Sequence, residues 1–156
     1  VKYKMLLSAL SHIEIRKPVF VKMSPDLSDE NVDEIIKISR DYPFIKGFIC
    51  SNLTKEPNKV GKGGTSGKPL QEKADRLLAY VYRKTRGEFV LIGVGGIFTA
   101  EDAYRKIRLG ANLLELITGM IYMGPSMIGE INEGLVKLLK KDGFTHIGQA
   151  VGIDVK

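Results

Sequence analysis

The sequence predicts an α/β fold built on a parallel sheet, and three observations carry that expectation. Short β-branched and aromatic runs alternate with longer amphipathic stretches four times along the chain. The runs lack polar alternation, as strands covered on both faces do. Glycine and polar residues gather just after the C-terminal end of each run, where parallel α/β folds place their ligands. With 156 residues, 44% hydrophobic and 27% charged, the chain has the composition of a globular domain with a real core.

Residues 1–16 read as a leading helix and linker, the helix running from Lys4 to Ser11. The first strand is Pro18-Val19-Phe20-Val21-Lys22-Met23, broken by Ser24-Pro25-Asp26. Ser28 then supplies an N-cap, and Asp29 and Glu30 suit the positive end of the helix it opens. Val32, Ile35, Ile36 and Ile38 give that helix its apolar side, which ends near Arg40. The second strand spans Phe44 to Cys50 and leads into Ser51-Asn52. A loop rich in Lys and Gly closes with Gly63-Gly64-Thr65-Ser66-Gly67-Lys68-Pro69-Leu70, where Pro69 fits a first helical turn. The next helix carries Leu70, Ala74, Leu77, Leu78 and Val81 on one side.

The third strand, Phe89 to Val94, runs straight into Gly95-Gly96-Ile97. Thr99 is the predicted N-cap of a helix through about Leu109, with Asp102 in the place where a capping box carries Glu or Gln. Gly110 stops that helix. The fourth strand spans Asn112 to Ile117 and is followed by Thr118-Gly119; a last helix covers about Ser126 to Lys141. Residues 17–141 therefore hold four βα units, and 142–156 form a C-terminal tail. Two architectures fit this order: a doubly wound sheet, or about half of a (β/α)8 barrel.

Several function classes are excluded. No apolar run reaches the roughly 18 residues of a membrane-spanning helix, and the first residues carry no leader-cleavage pattern. A single cysteine forms no internal disulfide, and two His with one Cys make no closed zinc site, so no metal is expected. The net charge of +6 permits phosphate, nucleic acid or an acidic membrane surface. The cations are dispersed among acids, as in DRLLAYVYRKTRGE, and read as solvated helix faces. No aromatic-rich basic stripe points to nucleic acid.

Gly93-Val94-Gly95-Gly96 is the most informative stretch. Phe98 occupies the third glycine position of a dinucleotide fingerprint, and the segment is no Walker A loop. Adjacent glycines after a strand bring backbone N–H groups against an anion, yet tight strand-to-helix packing explains them equally well. Thr118-Gly119 after the following strand fits the phosphate site that barrels often build there. Gly63 to Gly67 is either a further donor to that anion or a surface loop. Lys22 reads as a snorkelling lysine or as a cation beside a bound ring or phosphate. Asn52 is a turn residue or a donor and acceptor for a planar ligand. Cys50 reads as a buried structural thiol, and neither His12 nor His146 has a spacing that pairs with it.

Together, VKMSPDLSDE, CSNLT, GGTSGKPLQEKA, LIGVGGIFTAEDAYRKIRLGANLLELITGMIYMGP and GFTHIGQAVG resemble the dihydroorotate dehydrogenase family. The closer match is to its class 2, quinone-linked branch, through GGTSGKPL and the extended tail. The resemblance implies an FMN-binding (β/α)8 barrel of which this chain forms the last four units. It implies that Lys22 stands beside the flavin, that Ser51 replaces a common threonine there, and that Gly67, Gly95, Gly96 and Thr118 bind FMN, largely at its phosphate. Ile117 occupies a flavin-site position where tyrosine is common, with a backbone contact available to it. Asn52 matches a substrate asparagine for the orotate ring, and Leu53 takes the neighbouring position, where a hydroxyl residue is common.

The implied chemistry is oxidation of dihydroorotate to orotate with quinone as acceptor, a step of pyrimidine biosynthesis, at a membrane. The family's catalytic serine lies in the first half of the barrel, so Ser24, Ser51 and Ser66 are not assigned that role. The expected partners are a preceding barrel half or a second copy of the chain. Two alternatives remain: another FMN- or phosphate-binding barrel enzyme, and a non-catalytic half-barrel module.

Overall fold

Four parallel strands pair in chain order: β1 (Val19–Met23), β2 (Ile45–Cys50), β3 (Val90–Val94) and β4 (Leu113–Glu115). The computed structural model describes residues 2–56, 61 and 63–155. A doubly wound sheet reverses its strand order at a switch point, whereas a (β/α)8 barrel keeps adding each strand beside its predecessor. The unreversed order decides for the barrel type, with β1 and β4 as its two edges.

One helix precedes the sheet and the others follow its strands. They are α1 (Lys2–Leu10), α2 (Asp29–Arg40), α3 (Gln71–Thr85), α4 (Ala100–Arg108), α5 (Thr118–Met123) and α6 (Met127–Lys141). A 3-10 turn at Lys68–Leu70 opens α3, with Pro in its first positions, and another at Ile147–Ala150 lies in the tail. Ser28 caps α2 by accepting the N–H of Asn31, and Thr99 caps α4 by accepting that of Asp102. Gly110, at φ +113°, turns the chain from α4 toward β4; a Cβ there would strike the Tyr82 ring.

The register sorts the strand residues into two faces. Val21, Phe48 and Leu91 share one row, and Met23, Cys50, Gly93 and Leu114 the next. These rows pack under α2 and α3 with Val32, Ile36, Leu77, Leu78 and Val81, of which Phe48, Cys50, Leu78, Val81 and Leu91 are fully buried. Each such large side chain contributes roughly 1.5–3 kcal/mol of burial. The opposite rows are Phe20–Gly47–Val90 and Lys22–Ile49–Ile92–Leu113. Val90 and Leu113 are 38% and 56% exposed, so this inner face is partly open.

One expectation needs correction, and two others gain detail. The fourth strand forms a ladder only over Leu113–Glu115, and Thr118-Gly119 is the first turn of α5 rather than a loop. The tail contains a 3-10 turn capped by His146, whose ring nitrogen accepts the Gly148 N–H. Asp102 does not close a capping box on Thr99: its carboxylate accepts the Phe98 N–H and three side-chain donors instead. Among the described residues, no helix is long and apolar enough to cross a membrane.

Candidate functional site

The nine positions singled out along the sequence come together. Lys22, Ser51, Asn52, Leu53, Gly67, Gly95, Gly96, Ile117 and Thr118 all line one cavity of about 230 Å³. It lies at the C-terminal ends of the strands, as the parallel topology requires. Complete small-molecule pockets usually run to about 300–1,000 Å³, so this one has the size of part of a pocket.

Each side chain reaches the cavity by a local device. Lys22 belongs to the inner row, one residue before the end of β1, which turns its ammonium away from the core. The Asn52 N–H donates to Met23 O at 2.9 Å, and the Ser51 N–H to Val94 O at 3.3 Å. These bonds hold the end of β2 between its neighbours and leave the Asn52 side chain exposed. Ser51 is fully buried, and its hydroxyl donates to Asn52 O at 3.1 Å. Thr118 Oγ1 and Ser66 Oγ lie 3.0 Å apart, joining the segment before α3 to the first turn of α5. Thr54 and Thr65 exchange backbone hydrogen bonds, which closes the base of the glycine-rich loop. Residues 57–60 and 62 of that loop lie outside the described residues.

Gly67, Gly95 and Gly96 have φ of +76°, +104° and +73°, the left-handed region that side chains disfavour. They are also close-packed: a Cβ on Gly96 would come within 2.5 Å of Gln71 Cβ, and one on Gly67 within 2.8 Å of Thr118 Cγ2. Packing alone thus accounts for the glycines. What packing does not account for is the convergence of three hydroxyls, an exposed amide and an ammonium on the same cavity. The remaining wall is apolar, with Leu70, Val94, Ile97 and Leu116. That donor set fits a planar ligand with an anionic end: hydroxyls and glycine turns for the anion, aliphatic surface for the ring.

The cavity rests on two carboxylate networks that the sequence did not announce. Asp26 Oδ1 accepts from Thr54 Oγ1 at 2.5 Å and Lys73 Nζ at 2.9 Å, while its Oδ2 takes the Lys55 N–H at 2.7 Å. Burial acts to raise the Asp26 pKa, and the bonds from Thr54, Lys55 and Lys73 outweigh it, holding the carboxyl below its ordinary value. Asp102 is 4% exposed and accepts from Lys68, Gln71, Arg105 and the Phe98 N–H. Burial again opposes, and the bonds from Lys68, Gln71 and Phe98 again win, so this carboxyl also sits low. An acid three residues after Thr99 carried a capping signal but no sign of its partners 31 and 34 residues away.

The apolar wall is legible in the sequence only as core, and Ser66 only as part of the Gly63–Gly67 loop. Cys50 is fully buried and its thiol is pushed up to about 12 by that burial, which suits a structural role. His12 and His146 are exposed and lie outside the cavity. Among the described residues, no group of three or more His, Cys, Asp or Glu is placed to hold a metal ion.

Comparison with known proteins gives the family. The chain is 44% identical over 154 residues to a protein of Crocosphaera subtropica named dihydroorotate dehydrogenase (quinone), covering 90% of this chain and 40% of that one. A protein of the same name from Deinococcus radiodurans is 43% identical over 143 residues, covering 88% and 38%. The crystal structure of an Eimeria tenella DHODH in complex with ferulenol superposes with a TM-score of 0.82 at 32% identity, over 91% of this chain and 39% of that one. The chain thus spans about 40% of the length of these relatives. The family model described as dihydroorotate dehydrogenase matches residues 2–139, nearly the whole chain. With that match, the strand order and relatives above 40% identity in hand, the chain belongs to the dihydroorotate dehydrogenase family.

Proposed function

We propose that the chain is the C-terminal half of the (β/α)8 barrel of a quinone-linked dihydroorotate dehydrogenase, with residues 1–16 leading in, 17–141 forming four βα units and 142–156 the tail. In this reading it supplies the phosphate cradle for FMN and part of the substrate site. The observation that carries it is the meeting of all nine residues implied by the family resemblance on one cavity at the strand ends.

FMN, when bound, supplies the two-electron acceptor for dihydroorotate oxidation, which quinone then reoxidises. The chain's own residues do the rest of what is assigned here. Gly67, Gly95, Gly96 and Thr118 hold the phosphate, with Ser66 bracing Thr118. Ser51 and Ile117 border the ring, and Lys22 offers a positive charge beside it that favours charge building up there. Asn52 orients the substrate ring, and Leu53 excludes water next to it.

The reaction takes a proton from C5 and a hydride from C6 of dihydroorotate. No serine of this cavity is assigned the proton. The Ser51 hydroxyl is engaged with Asn52 O and Ser66 with Thr118, while Ser24 lies outside the cavity and accepts the Asp26 N–H. The base belongs to the preceding half of the barrel. By the same class membership the complete enzyme works at a membrane surface.

The test is complementation. The chain is produced together with the N-terminal portion of the Crocosphaera relative, and FMN uptake and dihydroorotate-dependent quinone reduction are measured. Stoichiometric flavin with activity is the expected result. A folded complex that takes up no flavin would sink the proposal. Orotate binding that survives Asn52→Ala unchanged would instead favour a flavin barrel with another substrate.

A further inference from the structure

We propose that Asp102 is a positioning residue that locks the turns at Gly67 and Gly96 together, so that they present one anion-binding wall to the phosphate end of the flavin. This inference rests on the FMN assignment above.

Asp102 does not line the cavity; it stands behind it, in the first turn of α4. Its donors come from the segments around both glycine turns of the phosphate end, though not from the Thr118 turn. Lys68 directly follows Gly67 and donates to both carboxylate oxygens, at 2.9 and 3.1 Å. Gln71, the first residue of α3, donates to Asp102 Oδ1 at 2.6 Å and to Gly96 O at 2.7 Å through the same amide nitrogen. Phe98, two residues past Gly96, donates its N–H to Oδ2 at 3.0 Å. One carboxylate therefore ties together the turn before α3, the turn after β3 and the start of α4.

Glycine turns have no side chains of their own to fix them, and these two have the backbone freedom that positive φ reflects. The long-range bonds to Asp102 supply the missing restraint. The carboxylate is itself anchored: Arg105 bridges it to Asp75, at 3.0 and 2.9 Å, and Asp75 holds the buried Lys106 at 2.6 Å. A buried carboxylate is costly unless fully hydrogen-bonded, so a site that needed only packing would be better served by an apolar residue.

Electrostatics sharpens the inference, because it gives the opposite sign. A negative charge behind an anion site repels phosphate, pairs Lys68 and offsets the positive end of α4. On charge alone, Asp102→Asn should tighten FMN binding. On positioning, it should weaken it.

The experiment titrates FMN and riboflavin, which lacks the phosphate, into the complemented protein by flavin fluorescence quenching. Wild type is compared with Asp102→Asn and with Gln71→Met, which keeps the length but removes the link to Gly96 O. The FMN Kd should rise about tenfold in both variants, the order of one lost charge-assisted hydrogen bond. The riboflavin Kd should change less than about twofold, because riboflavin carries no charged end for this wall to bind. Circular dichroism reports folding; if Asp102→Asn does not fold, Gln71→Met decides. Unchanged or tighter FMN binding overturns the inference, as does equal weakening of both flavins, which marks general damage. A folded wild type that binds neither flavin removes the FMN assignment itself, a result distinct from either of these.

Discussion

The Lys106–Asp75 pair gives a prediction whose size and pH dependence both follow from geometry. Lys106 is fully buried between α3 and α4, with its Nζ 2.6 Å from Asp75 Oδ1, and Asp75 is 14% exposed. At an effective dielectric of about 20, unit charges at that separation attract by roughly 6 kcal/mol, most of it offset by the loss of hydration. Removing only the acid leaves a buried, unpaired ammonium, and Asp75→Asn should cost about 3–5 kcal/mol at neutral pH. Lys106→Met keeps the volume and leaves Asp75 with Arg105 at 2.9 Å, so it should cost under about 1.5 kcal/mol. The double variant should recover most of the loss.

The pH dependence is signed. Burial lowers the Lys106 pKa more than Asp75 raises it, so the folded chain holds this proton less tightly than the unfolded one. Stability therefore rises with pH across the window between the depressed value and the ordinary lysine value near 10.4, and falls as pH drops through that window. Asp75→Asn depresses the pKa further and widens the window downward. The assay is urea denaturation of wild type and variants at several pH values between 7 and 10. An Asp75→Asn cost below about 1 kcal/mol with no slope across that range would refute a buried charged lysine.

Further outcomes follow from other groups. The Asp26 and Asp102 carboxyls are held below their ordinary values, so they stabilise the fold above the unfolded pKa near 3.9 and lose that contribution as pH falls through their folded values. Acid denaturation of Asp26→Asn/Asp102→Asn should show a shallower acid limb than wild type. Leu78→Ala, at a fully buried position under β2 and β3, should cost about 2–5 kcal/mol in chemical denaturation. Lys22→Ala in the complemented protein should leave the fold intact, since Lys22 lies outside the core, while slowing flavin reduction in stopped-flow traces at least tenfold, about 1.4 kcal/mol of transition-state stabilisation. Val90, Leu113 and Ile117 leave apolar surface open on the inner face, so the chain alone should enhance the fluorescence of a hydrophobic dye, and complementation should suppress it.

Local signals fixed the elements well because they act over a few residues. Ser28 and Thr99 cap the helices that follow them, and Leu70, Ala74, Leu77, Leu78 and Val81 are all buried at helical spacing. Short or weakly patterned pieces escaped: α5 spans only Thr118–Met123 and exposes Ile121, Tyr122 and Met123, so no apolar stripe marks it. The site residues were legible one by one and were joined in advance only through the ordered motifs of a family. Gly95 and Gly96 alone did not discriminate phosphate binding from packing, and the structure shows that packing by Leu70 and Gln71 already demands them.

By itself, then, the sequence determined the alternation of strands and helices, their caps and the residues facing the core, because periodicity and capping are properties of neighbours in the chain. Only the tertiary structure decided that the strands add in unreversed order and that nine scattered residues share one cavity. It alone decided that Asp102 meets Lys68 across 34 residues and that Lys106 is buried against Asp75. The physical reason is that burial and long-range pairing depend on where the sheet register sets each helix, and a register is a relation between segments that no single segment encodes.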